Sequence, residues 1–141
     1  MGVPNIVIDT NVIITALRSR SGASNKLLSL VGTKKFEIHD SVALILEYED
    51  VLQRQRNELG LSEEEVSLFV DSFCAMAHHH QIYFLWRPFL TDVNDDLVLE
   101  LAVSANCEYV LTHNVSDFRG SERFGIRAIT PKEFLQIIRE V

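Results

Sequence analysis

Short apolar runs rich in β-branched residues alternate along this chain with longer stretches of helical periodicity. Ile6-Val7-Ile8 and Tyr109-Val110-Leu111 are two such runs, and Arg127-Ala128-Ile129 is a third, shorter one. A continuous apolar run is typical of a strand that is buried on both faces of a sheet. Strands that alternate with helices of ten or more residues form mostly parallel sheets covered by helices on both sides. The pattern therefore predicts an α/β fold with a central, mostly parallel sheet.

Capping residues set the predicted limits of several helices. Ser41 is placed to cap a long helix that runs to about Arg56. Ser62, with Glu65 three residues later, forms a capping box for the next helix. Pro131 opens a C-terminal helix in its first turn. Two more short strands are predicted at residues 36–39 and 81–86.

Length, composition and charge restrict the class of protein. The 141 residues contain no repeat or linker, so we predict a single domain over residues 1–141. Cys74 and Cys107 are too few for a disulfide framework and lack metal-ligand spacing. From the sequence we expect neither a leader nor a membrane span, because the longest apolar runs are too short to cross a bilayer. The net charge of −7 argues against a protein that binds nucleic acid through a uniformly basic surface, but it allows a local rim of basic residues. We expect a reducing, cytoplasmic location.

Polar residues follow the two apolar runs that we place at the centre of the sheet. Asp9-Thr10-Asn11 follows the first run, and Thr112-His113-Asn114 with Asp117 follows the second. A third group, Asp92-Val93-Asn94-Asp95-Asp96, opens the helix that leads into the second run. Each group alone also fits a structural role as a helix cap, a first-turn acid or an Asx turn. Together they predict a shared site, because ligands bind at the carboxyl ends of parallel strands.

The chemistry of this set points to a hard divalent cation. The carboxylates cluster without a neighbouring lysine or arginine in sequence. Mg²⁺ prefers oxygen ligands and is usually held by one or two carboxylates, with waters and substrate phosphate completing its coordination. A cation placed in this way can activate water and stabilise a phosphate leaving group. The residues alone therefore predict metal-dependent phosphate chemistry.

Five blocks of residues occur in a fixed order along essentially the whole chain. They are Ile6-Val7-Ile8-Asp9-Thr10-Asn11-Val12; Ser41 with Glu47 and Val51-Leu52; Asp92-Val93-Asn94-Asp95-Asp96 with Glu100-Leu101-Ala102; Val110-Leu111-Thr112-His113-Asn114 with Asp117-Phe118; and Ile129-Thr130-Pro131-Lys132-Glu133-Phe134-Leu135. In these blocks the chain resembles the PIN-domain ribonucleases, and within them the toxin-like group of prokaryotic toxin–antitoxin systems. The resemblance implies a three-layer α/β/α PIN-like fold.

The resemblance also implies an activity and its residues. It implies an endoribonuclease that acts on single-stranded RNA with Mg²⁺ or Mn²⁺, as the toxin of a toxin–antitoxin pair. The implied catalytic and metal-binding residues are Asp9, Glu47, Asp95 and Asp117, with Asn114 as a further ligand. The implied supporting residues are Thr10, Asn11, Ser41, Asp92, Asp96 and Thr112, and the RNA rim is Arg18, Arg20, Arg119 and Arg123. RNA, an antitoxin protein and a second copy of the chain are the implied partners.

Two positions of the implied site depend on the family pattern. Many relatives carry an acid where this chain has Asn114, so Asp117 would supply the fourth carboxylate. Glu47 and Glu49 flank the apolar stripe of their helix from opposite sides, and the family spacing from Ser41 selects Glu47. The seven-residue step to Ala102 likewise selects Asp95 within its acidic group.

The sequence alone is compatible with other functional classes. An aspartyl-phosphate phosphotransferase also places an aspartate after its first strand, but Asn11 occupies the position of the second aspartate of the haloacid-dehalogenase type. A receiver module needs a lysine after a late strand, which this chain lacks there. A catalytically weak PIN-like domain that binds RNA or protein is the remaining alternative. His78-His79-His80 is assigned to a surface or helix end, and a proton-shuttle role for His113 is not favoured.

Overall fold

A computed structural model describes residues 2–82 and 89–140 of the chain. In these residues short strands alternate with helices. The strands are β1 (Asn5–Ile8), β2 (Glu37–Ser41), β3 (His78–His80), β4 (Tyr109–Leu111) and β5 (Arg127–Ile129). The helices are α1 (Thr10–Arg18), α2 (Ala23–Ser29), α3 (Val42–Leu59), α4 (Glu63–Met76), α5 (Val93–Ser104) and α6 (Pro131–Ile137), with 3-10 helices at Val115–Phe118 and Ser121–Phe124.

The strands form one parallel sheet in the order β3-β2-β1-β4-β5. Ile6 of β1 pairs with Ile38 of β2 on one side and with Tyr109 of β4 on the other. The side chains of Ile6, Val7 and Ile8 are fully buried, as expected for a strand covered on both faces. β1 and β4 are thus interior strands, and the prediction of a central parallel sheet is confirmed.

The helices complete a three-layer α/β/α arrangement around this sheet. Helix α5 packs on β1, β2 and β4, while α1 contacts α2 and α3. Helix α3 also packs against α4, and α2 against α6. The predicted fold class is therefore confirmed. None of the helices in the described ranges combines the length and the apolar character that crossing a bilayer requires.

The predicted capping residues set the helix limits as expected. The Ser41 hydroxyl accepts a hydrogen bond from Leu44 N at 3.2 Å at the start of α3. Gly60 ends this helix with φ of +72°, a left-handed conformation that glycine adopts without strain. Ser62 and Glu65 form the capping box of α4. The cap fixes where α3 begins. Glu47 therefore lies one helical turn beyond Leu44.

The strand predicted at residues 81–86 lies mostly outside the described residues, and the described strand next to β2 is β3 (His78–His80). β3 consists of the three histidines, and Gln81 and Ile82 lie beyond its end, while residues 83–86 fall outside the described part of the chain. Each imidazole of β3 has a partner on β2: His78 Nε2 lies 3.2 Å from Glu37 Oε2, His79 Nδ1 lies 2.6 Å from Asp40 Oδ1, and His80 Nε2 lies 2.8 Å from His39 Nδ1. These cross-strand contacts replace apolar burial, so the hydrophobic pattern could not identify the strand.

Candidate active site

The carboxyl ends of β1 and β4 meet at one edge of the sheet. Asp9 follows β1, and its backbone N–H donates to Leu111 O at 2.9 Å. Thr112 follows β4, and its hydroxyl donates to Asp9 Oδ2 at 2.8 Å. Parallel pairing of adjacent strands brings these two residues together, as the sequence predicted.

Asp9 is both a helix cap and a buried carboxylate. Its Oδ1 accepts from Thr10 N at 2.8 Å at the start of α1. Its Oδ2 accepts from Asn11 Nδ2 at 3.1 Å as well as from Thr112. Only 7% of the residue is exposed, and burial raises the pKa of its carboxyl even though these hydrogen bonds act to lower it. The structural and the functional interpretation of Asp9 are thus compatible.

Asn11 and Thr112 form a hydrogen-bonded frame around Asp9. Asn11 Nδ2 donates to Thr112 Oγ1 at 3.2 Å, and Asn11 Oδ1 accepts from His113 N at 3.0 Å. The Thr112 hydroxyl also accepts from Asn114 N at 3.0 Å and is fully buried. These contacts fix the orientation of the Asp9 carboxylate. This is the supporting role predicted for Asn11 and Thr112.

Glu47 reaches the same edge of the sheet from α3. Its Oε2 accepts a hydrogen bond from the hydroxyl of Thr10, the residue after Asp9. Burial raises the pKa of the Glu47 carboxyl, and the charge of Asp9 raises it further. Glu49 lies instead along a groove between α3 and α4, together with Asp50. The structure therefore brings together Glu47 and Asp9 and leaves Glu49 apart.

The three acids at the start of α5 have different surroundings. Asp92 caps the helix by accepting from Asn94 N at 2.8 Å. Asp96 is buried and accepts from the backbone N–H groups of Leu90 at 2.8 Å and Phe89 at 3.3 Å. Within residues 2–82 and 89–140, the Asp95 carboxylate accepts no hydrogen bond. Asp92 and Asp96 thus accept hydrogen bonds from backbone N–H groups, whereas the Asp95 carboxylate is available to bind a ligand.

Asp95 lies among the other acids of the site. Its pKa is raised to about 7, first by burial and then by the charges of four neighbouring carboxylates. They are Asp9, Asp92, Asp117 and Glu47. Each of these four charges is negative and disfavours ionisation of Asp95. A carboxyl in such surroundings is stabilised either by a proton or by a cation.

The fourth corner of the site is the loop after β4. Asp117 lies in the 3-10 helix Val115–Phe118, and its charge raises the pKa of both Asp9 and Asp95. Asn114 is the residue before this 3-10 helix, and its side chain makes no capping hydrogen bond there. Asn114 and Asp117 are both exposed. Asp117 is therefore the carboxylate that this loop brings to the cluster.

The donor set suits a hard cation but does not form a closed site. In the described ranges, no three acidic, histidine or cysteine side chains are arranged so that they could hold a metal ion by themselves. Mg²⁺ commonly takes only one or two carboxylates from the protein and fills its remaining positions with water and phosphate oxygens. Unbalanced carboxylates around Asp95 fit that open coordination, so the site is chemically compatible with Mg²⁺ or Mn²⁺.

The four arginines of the predicted RNA rim have different environments. Arg18, the last residue of α1, donates from Nη2 to Gln55 Oε1 at 3.2 Å. The Arg123 guanidinium lies 5.8 Å from the ring centroid of Phe89. Arg20 and Arg119 are exposed.

Two structural contacts near the site were not predicted. The Tyr48 hydroxyl donates to Ile8 O, which ties α3 to the end of β1 beside Asp9. The Ser24 hydroxyl and His113 Nε2 share a hydrogen bond of 2.9 Å. Tyr48 lies in the apolar stripe of its helix, and a buried tyrosine needs an acceptor for its hydroxyl, so the sequence did carry a signal for the first contact.

Comparisons with known proteins agree with this architecture. A family model described as PIN domain matches residues 5–116. VapBC-1 from nontypeable Haemophilus influenzae has a similar fold, with a TM-score of 0.63 at 16% identity, covering 91% of this chain and 98% of the other. VapBC2 from Rickettsia felis, solved bound to a DNA fragment from its promoter, gives a TM-score of 0.58 at 14% identity, covering 88% and 96%. No curated protein sequence matches the chain.

The family match spans most of the chain and contains Asp9 after β1, Glu47 of α3 and Asp95 of α5. The two solved structures share the fold over nearly their whole length. The resemblance seen in the sequence blocks is thus confirmed. The chain belongs to the PIN-domain family, a family of nucleases.

Proposed function

We propose that this protein is an endoribonuclease that cleaves single-stranded RNA with Mg²⁺ or Mn²⁺ and that it is the toxin of a toxin–antitoxin pair. The observation that carries the proposal is the position of Asp95 among four other carboxylates at the strand-end edge of the sheet. The charge on these groups is compensated best by a divalent cation, and a cation at this edge also lets a polyanionic substrate approach.

The proposed ligands come from four different elements. Asp9 follows β1, Glu47 lies on α3, Asp95 lies on α5, and Asp117 lies in the loop after β4. Asn114 is a further oxygen ligand without a charge. When bound, the cation supplies a polarised water and charge stabilisation at the scissile phosphate.

The other residues of the chain hold these ligands in place. Thr10 orients Glu47, while Asn11 and Thr112 orient Asp9 through hydrogen bonds. Ligand orientation of this kind commonly matters almost as much as the ligands themselves. Ser41 and Asp92 support the site by capping the helices that carry Glu47 and Asp95, and Asp96 supports it by holding the backbone of Phe89 and Leu90 before α5.

The proposed partners follow from the structural neighbours. Both solved neighbours are VapBC assemblies, and their likeness in fold supports an antitoxin partner for this chain. We also propose a homodimer and a cytoplasmic location, where RNA substrates are present.

A catalytically weak PIN-like domain that binds RNA or protein is the second candidate. Asn114 favours it, because an amide replaces the acid that the family pattern places after β4. One negative charge fewer weakens the hold on a hard cation. This alternative predicts binding of RNA without cleavage.

Cleavage of a fluorescent single-stranded RNA in EDTA, Mg²⁺ and Mn²⁺ separates the two candidates. We expect cleavage only with metal, and we expect Asp95→Asn to abolish it while circular dichroism shows an intact fold. Glu49→Gln removes one charge from the neighbouring part of α3 and should retain activity. Full activity of a folded Asp95→Asn protein, or cleavage in EDTA, would contradict the proposal. Binding without cleavage would support the alternative.

A further inference from the structure

A groove runs between α1 and α3 and begins at the candidate active site. It encloses about 320 Å³, a size typical of small ligand clefts. Thr10 and Asn11 form its end next to the acids, and Ile14 and Val51 line it between the two helices. The groove is thus continuous with the frame that holds Asp9 and Glu47.

Arg18 and Gln55 form the other end of this α1–α3 groove. Arg18 Nη2 donates to Gln55 Oε1 at 3.2 Å, which uses one of the five N–H donors of the guanidinium. Arg18 has no ion pair within the described ranges of the chain. Arg54 directly precedes Gln55 on α3 and differs from Arg18, because its Nη2 forms an ion pair with Asp50 Oδ2 at 2.9 Å. Arg18 is therefore a cation that an amide orients and that no carboxylate of the described residues neutralises.

Arg18 is also the first charged residue on α1 after Asp9. The helix rises about 1.5 Å per residue, so Arg18 lies about 12 Å along the axis from Thr10. A stacked nucleic-acid strand advances roughly 3.4 Å per nucleotide, and an extended strand advances further. That distance therefore corresponds to about two to four nucleotides.

We propose that Arg18, oriented by Gln55, binds an RNA phosphate about two to four nucleotides from the scissile phosphate, with the intervening nucleotides lying in the α1–α3 groove. This inference rests on the proposed ribonuclease function. Ile14 and Val51 give the bases an aliphatic contact surface, and the Arg18 guanidinium gives the backbone a cation. Single-strand binders likewise pair a cationic groove with side chains that contact the bases, although those side chains are commonly aromatic. Phosphate contacts position the strand without reading its sequence.

Steady-state cleavage by wild type and Arg18→Ala, on RNAs shortened one nucleotide at a time from each end, tests this inference. For long RNAs we expect Arg18→Ala to raise KM roughly tenfold, as for the loss of one charge-assisted hydrogen bond, with kcat unchanged. The effect should vanish once fewer than about two nucleotides remain on one side of the cleaved bond, and only on that side. Gln55→Ala should act in the same direction but more weakly. Arg54→Ala, a matched loss of one positive charge, should leave KM unchanged.

Three results would overturn the groove assignment. KM could be unchanged in Arg18→Ala, the rise in KM could be independent of RNA length, or Arg54→Ala could raise KM equally, which would indicate a general electrostatic effect. Weaker capture of an antitoxin by Arg18→Ala, with unchanged RNA kinetics, would assign the groove to protein binding instead.

Failure of the proposed ribonuclease function can be distinguished from failure of the groove assignment. If wild type cleaves none of the RNAs, binding of the same shortened series by fluorescence anisotropy in EDTA still tests the groove. A length-dependent loss of affinity in Arg18→Ala would then support the groove, and equal affinities of wild type and variant would overturn it.

Discussion

The Thr112 hydroxyl, buried after β4, donates to the Asp9 carboxylate after β1 at 2.8 Å. The same hydroxyl oxygen accepts from Asn11 Nδ2 and from Asn114 N. One side chain therefore joins the ends of two parallel strands, the start of α1 and the loop that leads to Asp117. The geometry of the candidate site depends on this contact.

We expect Thr112→Val to lower the free energy of unfolding by about 1–3 kcal/mol, because it leaves buried polar groups without a partner. It should also raise the pKa of Asp9, since the hydrogen bond from Thr112 acts to lower that pKa. Urea denaturation measures the first effect. Thr112→Ser keeps the hydroxyl and should remain close to wild type; equal losses in both variants would mean that the methyl group, and not the hydrogen bond, matters.

Substitution of Asp95 should have a different effect from substitution of Asp9. Asp95 is repelled by its neighbours, so Asp95→Asn should raise the melting temperature in EDTA. Asp9 Oδ2 accepts hydrogen bonds from Asn11 Nδ2 and the Thr112 hydroxyl. An amide NH₂ at that position would face these two donors, so Asp9→Asn should lower the melting temperature in EDTA. Differential scanning fluorimetry compares the two. The same direction of change in both variants would contradict the assigned hydrogen bonds.

Stability of the metal-free protein should depend on pH through Asp95. Its folded-state pKa of about 7 lies above the ordinary value of 3.8, so the folded state binds more protons. The destabilisation by Asp95 is therefore complete above about pH 7 and is relieved as the pH falls toward about 4. His39 acts in the opposite direction, since burial lowers its pKa to about 4.

The difference in unfolding free energy between wild type and Asp95→Asn isolates the effect of Asp95. Asp95→Asn should be the more stable protein, by a margin that shrinks from pH 8 to pH 5. A margin that grows would contradict this sign.

The interior of the sheet and the outline of the site could be predicted from sequence. The runs that became β1 and β4 are apolar because both sheet faces are covered, and the residues after them meet at one edge because the strands are parallel. The caps at Ser41 and Ser62 are local signals, and both helices start as predicted.

Long-range contacts decided what the sequence could not show. β3 pairs with β2 as a parallel strand, and its side chains contact β2 through imidazole groups, which leave no hydrophobic pattern. Asp95 and Asp96 look alike in sequence, and only the backbone near Leu90 determines that Asp96 is an anchor. Arg123 was predicted in the RNA rim, but only the fold shows that it lies over Phe89.

The loop after β4 offers a test of the missing acid. Asn114→Asp adds a carboxylate beside the site and should lower the Mn²⁺ concentration needed for half-maximal cleavage, because affinity for hard cations rises with ligand charge. Asp117→Asn should raise that concentration. If only Asp117→Asn has an effect, Asp117 is the sole ligand from this loop. An unchanged metal requirement in both variants would exclude the loop from the metal site.

The central claim is that Asp9, Glu47, Asp95 and Asp117, near the carboxyl ends of β1 and β4, hold a divalent cation. Isothermal titration of Mn²⁺ into the metal-free protein tests this claim without any RNA. We predict saturable binding by wild type, binding weakened at least tenfold, or about 1.4 kcal/mol, in Asp95→Asn, and wild-type binding in Glu49→Gln. An absence of binding by wild type, or equal affinity in wild type and Asp95→Asn, would contradict the account.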